Sequence, residues 1–414
     1  MMIAEEPDGA EKSKRALEGI RVIEIGTFIS APFAATLLAD FGADVVKIEL
    51  PQGGDLMRTL GSMAPGSDTG YWWSSIARNK RSLALDIRTI EGREILARLI
   101  QTADVLIENF RPGTLDRWGI TSLWMSEQRP DLIVVRISGY GQNGPWRDVP
   151  GFDRNAQAFS GLVYVTGDKD TAPQQAGLPV CDFTTGLWAA FGAVTALLAK
   201  RLHNDQVGNE IDVALYESMI PFLKDIPMRY KHDGFITERS GNTPDYVSPG
   251  GAYLTGDREW IFVSGTGDRV FHRLMNAIGH PEATTSPLFK ENKDRVINRE
   301  IIDEMINEWL ASRTTDEALG IFQREDVPAV KIQSIADLMN HPQIIARSNF
   351  VDVPDHDQGD VCMTAPVPRL SRMPATIRWS GQHLGESTSE ILHEELGISE
   401  EQLESLRNRG IAGG

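Results

Sequence analysis

The chain carries only two cysteines, Cys181 and Cys362, in 414 residues, which excludes a disulfide framework and fits a reducing compartment such as the cytoplasm. Its eight histidines show neither HExxH spacing nor pairing with cysteines, so no metal site is expected. Positive charge is also short: 41 Lys and Arg stand against 58 Asp and Glu, a formal net charge of -17. Nucleic-acid binding rests on a basic surface, so that partner class is excluded, and an anionic ligand would need a local basic pocket. No apolar run reaches the roughly 20 residues of a membrane helix; the most apolar stretch, 187–199, ends at Lys200 and Arg201. The opening MMIAEEPDGAEKSK is acidic and lacks the apolar centre of a signal peptide, so residues 1–16 read as a tail. GxSxG elbows and GxxxxGK[ST] phosphate loops are missing too.

What is present is an ordinary globular balance, 41% hydrophobic and 24% charged residues, in a chain longer than one typical hydrophobic core. Two domains, or one with an insertion, are expected. RVIEIG at 21–26 reads as a buried strand, 31–41 as a helix with Phe33, Leu37, Leu38 and Phe41 on one side, and DVVKIE at 44–49 as a second strand. That order makes a βαβ unit, hence a parallel sheet with a right-handed crossover. Further strands follow at SLALDI, DVLIE and DLIVVRIS, with a helix at 89–101. The fold class is therefore α/β, a Rossmann-like large domain with a parallel sheet, although the first turn, GTFISAP, lacks the glycine spacing of a dinucleotide site. The large domain is expected to begin at 17–220, followed by a proline-broken, charged linker at 221–246 and a smaller α+β domain at 247–332. PAVKI, 328–332, is expected to lead the chain back, and 333–414 to rejoin the large domain through helices at 389–396 and 400–407.

One carboxylate stands at the mouth of an apolar segment. In GLPVCDFTTGLWAAFGAVTALLAKR, the residues Leu187, Trp188, Ala190, Phe191, Val194, Leu197 and Leu198 recur at helical spacing, so a buried helix starting near Thr184 is expected. Asp182, just before it, is either an N-cap or a nucleophile kept in apolar surroundings. Neighbouring Cys181 has no histidine nearby in sequence to activate it, and small buried packing is its simpler role. Arg78, Asn79, Lys80 and Arg81 form the densest basic cluster of an acidic chain, either a solvated turn or a phosphate grip. NFRPG at 109–113 follows a parallel strand, at the edge where α/β sheets bind ligands. GYGQNGP, 139–145, allows close backbone approach. This set suits transfer of an acyl group held on a large phosphorylated carrier.

Taken in order, LEGIRVIEIGTFISAPFAATLLADFGADVVKIE, PQGGD, RNKRSLALDIRTIEGREIL, ADVLIENFRPGTLDRWG, SGYGQNGP, PGFDRNAQAFSG and CDFTTG resemble the class III coenzyme A transferases (CaiB/BaiF), the formyl-CoA transferase and carnitine CoA-transferase type. The strings are individually common; their order and spacing carry the resemblance. It covers the first half closely and resumes through YLT and LGESTSEILHEELG. The resemblance implies that Asp182 attacks an acyl-CoA thioester, that Asn109, Phe110 and Arg117 line the CoA site, and that Thr27, Ser30 and Ala31 lie beside the pantetheine. Arg78, Lys80 and Arg81 are expected, on charge, to meet CoA phosphates. Asp153 stands where transferases carry an acid near the nucleophile, or else caps a helix. Gly139, Gly141 and Gly250 are expected amide donors to an oxyanion. The implied partners are an acyl-CoA and a carboxylic acid, with the coenzyme A thioester as substrate and no permanently bound cofactor. An interlocked cytoplasmic homodimer, without membrane or nucleic acid, is implied as well.

Two departures from the family pattern are visible. Leu50 follows the KIE strand where relatives often carry arginine, and the glycine run that covers the active site of formyl-CoA transferase is replaced by SPGGAY, 248–253. Racemases of the wider family place histidine before the aspartate of PGxD, giving the second base that exchange at an alpha carbon requires. Here that residue is Phe152, which favours transfer over racemisation. A noncatalytic CoA-binding subunit is the remaining alternative.

Overall fold

The computed structural model describes residues 14–204 and 207–414, so most of the expected tail, 1–16, lies outside them. The chain divides into two compact units. The first contains the residues up to Ser160, Ala176–Leu223 and Arg347–Gly414; the second contains Gly161–Gln175 and Lys224–Ala346. The stretch 224–246 thus belongs to the body of the second unit, together with a segment from the middle of the chain.

Strands such as VLIE and IVVRIS are near-continuously apolar, as a strand covered on both faces must be. In the first unit they build a parallel sheet, six-stranded among the described residues: β1 (Arg21–Glu24), β2 (Asp44–Glu49), β3 (Lys80–Ala84), β4 (Val105–Glu108), β5 (Ile133–Ser138) and β6 (Asn209–Ala214). Their order is β3-β2-β1-β4-β5-β6. The switch point therefore falls between β1 and β4, where a crevice opens at the carboxyl ends of the strands. Helix α1 (Ser30–Asp40) crosses from β1 to β2, and α2 (Ile90–Ile100), capped by Thr89, precedes β4. Between β5 and β6 stand α3 (Asp153–Phe159) and α4 (Val180–His203).

α4 departs from expectation in two ways. It begins at Val180, which puts Asp182 inside the first turn, and its buried side is Cys181, Thr185, Gly186, Ala189, Ala190, Ala193 and Ala196. The large residues read as core, Leu187, Trp188, Phe191, Val194 and Leu198, are exposed. Small residues face inward because α4 packs on α1, whose own Ala31, Ala34 and Ala35 are fully buried. A Cβ on Gly186 would fall 2.9 Å from the Ser30 carbonyl oxygen, so the two backbones meet there. By length and composition alone this 24-residue helix is apolar enough to cross a membrane. It packs beside β5 and β6 as a crossover helix of the α/β layer.

The second unit is built on an antiparallel sheet of β7 (Gly250–Leu254), β8 (Trp260–Ser264) and β9 (Ala329–Lys331), three-stranded among the described residues. Helices α5 (Asp268–Ala277), α6 (Arg299–Ala311) and α7 (Thr315–Arg324) cover it, and Ile261, Phe271, Leu274, Ile306 and Phe322 fill its core. PAVKI does not return to the first unit; as β9 it pairs with β8, Val263 opposite Ala329. The return comes at Arg347 and opens with a hairpin absent from the sequence reading, β10 (Phe350–Asp355) and β11 (Gly359–Thr364). Near the carboxyl terminus, Ile391, Leu392, Leu403 and Leu406 join the core beside α2.

Candidate active site

The first loop and NFRPG meet at the switch point. Asn109 Oδ1 accepts the Thr27 amide at 2.8 Å, and its Nδ2 donates to the Thr27 carbonyl at 2.7 Å. Gly26 lets them close up, since a Cβ there would lie 2.4 Å from that of Ala31 and 3.0 Å from Asn109 Oδ1. Phe28 follows with φ of 62°, a left-handed conformation that costs a non-glycine residue about 1–3 kcal/mol. Its amide donates to Asp55 Oδ1 at 3.2 Å, from the PQGGD turn. On the other side, Glu108 Oε2 accepts the Phe110 amide at 2.7 Å, and burial pushes the Glu108 carboxyl up to about 7. These hydrogen bonds tether the loop in its strained shape.

Asp182 lies on the first turn of α4, and Pro179 before that helix offers no side-chain cap. The cap comes from Asp153: its Oδ1 accepts the amides of Cys181 at 2.8 Å and Asp182 at 3.1 Å. Gln157 Nε2 donates to the other oxygen at 2.6 Å. Of the two roles offered for Asp182, capping is thus taken by Asp153, which leaves the Asp182 side chain for something else. Burial first, and then the neighbouring Asp153 charge, push the Asp182 carboxyl up to about 7, against a hydrogen bond from Ser30. A helix N-terminus stabilises an anion by about 0.3–1 kcal/mol, less than one pKa unit, so burial and like charge prevail over it. No cation pairs with Asp182 among the described residues. Cys181 is fully buried, and burial pushes its thiol up to about 12, which leaves it a packing residue.

The basic cluster is placed elsewhere, and a correction follows. Lys80 and Lys47 share the buried Glu24, each at 2.7 Å, and Lys47 also meets Asp55 at 2.9 Å. Arg78 is buried against Asp40 at 2.7 Å, while Arg81 pairs with Asp44 at 2.7 Å and with Glu390 and Glu395. The cluster is neither a solvated turn nor a phosphate grip. β3 begins at Lys80, earlier than its apolar letters indicate, and draws the charges into the fold.

A cleft of about 130 Å³ opens at the carboxyl ends of β1 to β4, lined in part by Thr27, Leu50, Phe110, Trp118 and Arg88. Arg88 is a cation the sequence reading missed. It sits past the end of β3 opposite Leu50, with its guanidinium on Asp86 at 2.7 Å. Position after a strand end, the signal that singled out NFRPG, would have found it; charge density pointed to the wrong cations. Arg117 is exposed and donates to Thr114 at 2.9 Å.

Remaining expected residues divide. Ala31 is buried in α1, behind the loop. Gly139 directly follows β5 and packs on Gly151, and the Gly141 amide already donates to Ser138 Oγ at 2.9 Å, which withdraws it from an oxyanion role. Gly250 belongs to the second unit, paired in β7 with Ser264. Phe152 is exposed and stands edge-on to Phe28 at 6.4 Å, a hydrocarbon where racemases carry a base. No group of three or more metal-ligating side chains occurs among the described residues.

This arrangement has relatives. Residues 17–388 match the pattern of CoA-transferase family III. Over 402 residues the chain is 36% identical to succinyl-CoA–D-citramalate CoA-transferase of Chloroflexus aurantiacus, covering 97% of this chain and 99% of that protein. It is 40% identical over 400 residues to the succinyl-CoA–L-malate CoA-transferase beta subunit of the same organism, covering 95% and 98%. A crystal structure of a CAIB/BAIF family protein from Brucella suis superposes with a TM-score of 0.80 at 31% identity, covering 92% and 99%. The chain belongs to CoA-transferase family III and is an enzyme of that class. The match runs well beyond the first half, through the second unit to the carboxyl-terminal segment.

Proposed function

We propose that this enzyme moves CoA from an acyl-CoA donor to a free dicarboxylic acid through a covalent intermediate on Asp182. The observation that carries the reading is a half-buried carboxylate, pushed up to about 7, with no cation paired to it among the described residues and relieved of capping by Asp153. An Asp182 oxygen attacks the thioester carbonyl and CoA leaves as thiolate, giving a mixed anhydride. The thiolate attacks the aspartyl carbonyl, the donor acid departs, and an aspartyl-CoA thioester remains. The acceptor carboxylate then runs both steps in reverse. Charge and atoms balance without a metal, a resident cofactor or ATP. A carboxyl titrating near 7 is a stronger nucleophile than one near 4, and partial burial thins the water that would blunt it.

Arg88, Phe110, Trp118 and the exposed Arg117 supply aromatic faces and positive charge for the nucleotide end of CoA, with Arg88 taking the place of the cation that Leu50 omits. The named activities of the relatives support succinyl-CoA as donor and a small dicarboxylate of the malate or citramalate kind as acceptor. The test is incubation with succinyl-CoA and labelled acids, followed by mass spectrometry. A hydroxylamine-sensitive adduct at Asp182 is expected; turnover with the adduct at another residue would reject the reading.

A homodimer completes the proposal. The exposed row Leu187, Trp188, Phe191, Val194 and Leu198 on α4 is an apolar face of the kind that marks an interface. Sedimentation as a stable monomer at micromolar concentration would remove this part.

A further inference from the structure

The first loop makes a turn that its own letters do not favour. Phe28, with φ of 62°, is a bulky, half-buried residue in a left-handed conformation suited to glycine. A set of buried charges holds it there. Asp55 is 2% exposed, and its Oδ1 accepts the amides of Phe28 at 3.2 Å and of Met57 at 2.9 Å. Its Oδ2 lies 2.9 Å from Lys47 Nζ, and the same ammonium donates to the Gly26 carbonyl at 2.9 Å and to Glu24 at 2.7 Å. From behind, the Asp55 amide donates to Glu49 Oε2 at 3.0 Å, and Glu49 is itself paired with Arg58 at 2.7 Å.

The two charges grip the loop on either side of Thr27, Lys47 at the Gly26 carbonyl and Asp55 at the Phe28 amide, while Asn109 takes both backbone groups of Thr27 itself. Gly26, Thr27 and Asp55 all line the cleft at the carboxyl ends of the strands. Two residues beyond Phe28 the chain enters α1 at Ser30, whose carbonyl marks the point where the backbones of α1 and α4 meet at Gly186. Strain held by over-determined surroundings gathers where a conformation serves a ligand. We propose that Asp55, set by Lys47, is a positioning residue: it keeps Phe28 in the left-handed conformation, so that this wall of the cleft stands preformed before acyl-CoA arrives. The strain is then met within the fold instead of being drawn from the free energy of binding. The inference rests on the reading that acyl-CoA occupies this cleft.

The experiment measures KM and kcat for succinyl-CoA, together with Tm, in Phe28→Leu, Phe28→Val, Phe28→Gly, Asp55→Asn and the double variant Asp55→Asn/Phe28→Gly. Leucine and valine both remove the ring, but valine is branched at Cβ and is the more strongly barred from the left-handed region, so its KM should exceed that of the leucine variant about tenfold with kcat nearly unchanged. An amide at position 55 turns its single oxygen to the Lys47 ammonium and sets its NH2 against the Phe28 amide, so Asp55→Asn should raise KM by a similar factor. Glycine at position 28 takes the conformation without strain, and in that background the same substitution should raise KM far less. The leucine and valine pair leaves the buried charges intact, which covers an Asp55→Asn chain that does not fold. Equal KM in the leucine and valine variants, or an Asp55→Asn effect of the same size in both backgrounds, overturns the inference, and a purely structural Asp55 would give that result with a lower Tm alone. Arg88→Ala, on the same cleft, separates the two failures: a raised KM there upholds the cleft even when the inference falls, whereas an unchanged KM there, with leucine and valine alike, removes the reading on which it rests.

Discussion

Two acids of the first unit, one fully enclosed and one half-buried, are held on opposite terms. Glu24 has two lysines at 2.7 Å and is fully enclosed. Asp182 has no lysine or arginine partner among the described residues, and its charged neighbour is another acid. Compensated charge makes Glu24 a brace, which through Lys47 also holds the Gly26 carbonyl of the first loop at 2.9 Å. Uncompensated charge raises the energy of the ionised Asp182 side chain where it stands, the condition that the proposed nucleophile needs. Compensation of a buried charge is what separates framework from chemistry here.

The sharpest way to break this contrast is Asp182→Asn. Its turnover should fall on the order of 10⁶-fold, as when a nucleophile is removed elsewhere, measured as succinyl-CoA consumed with acceptor present. Next in size is Glu24→Leu, which leaves Lys80 enclosed without a carboxylate and should cost about 3–5 kcal/mol, seen as a lower urea midpoint.

The same Asp182→Asn variant should be more stable than wild type, by a margin that depends on pH. Below about pH 4 the folded and unfolded carboxyl groups are both protonated, and the margin is small. As pH rises from there, the unfolded chain releases a proton that the folded one keeps until about 7, so wild type loses stability and asparagine does not. The Tm gap should open across that window and stay constant above it; a gap independent of pH would refute the raised acid.

The smallest effect concerns the cations. Arg88→Ala should raise KM for acyl-CoA about tenfold, the worth of one charged hydrogen bond, with kcat nearly unchanged. Steady-state kinetics decides this, and an unchanged KM would return the search for phosphate contacts to Arg117.

How much of this was legible beforehand follows the range of the interactions. Strands at 44–49 and 133–138 and the helix at 89–101 emerged within a residue or two of expectation, because periodicity is written in neighbouring letters. Asn109 and Asp182 were singled out by motif and position, and the structure puts Asn109 against Thr27 and Ser30 as one loop assembly. The side of α4 that faces inward was misread, since large apolar letters look like core until α1 is seen to demand small ones. The basic cluster was misread for a related reason: Lys80 finds its acid 56 positions away in Glu24, and Arg81 reaches Glu390 across 309.

By itself the amino-acid order determined the α/β class and the succession of strands in the parallel sheet, and it singled out Asp182 as the candidate acid. Tertiary structure alone decided which acid caps α4, which cations are spent inside the fold, and which side of α4 faces inward. Local geometry depends on residues a turn apart, whereas the partner of a buried charge is supplied by whichever distant segment the sheet brings alongside it.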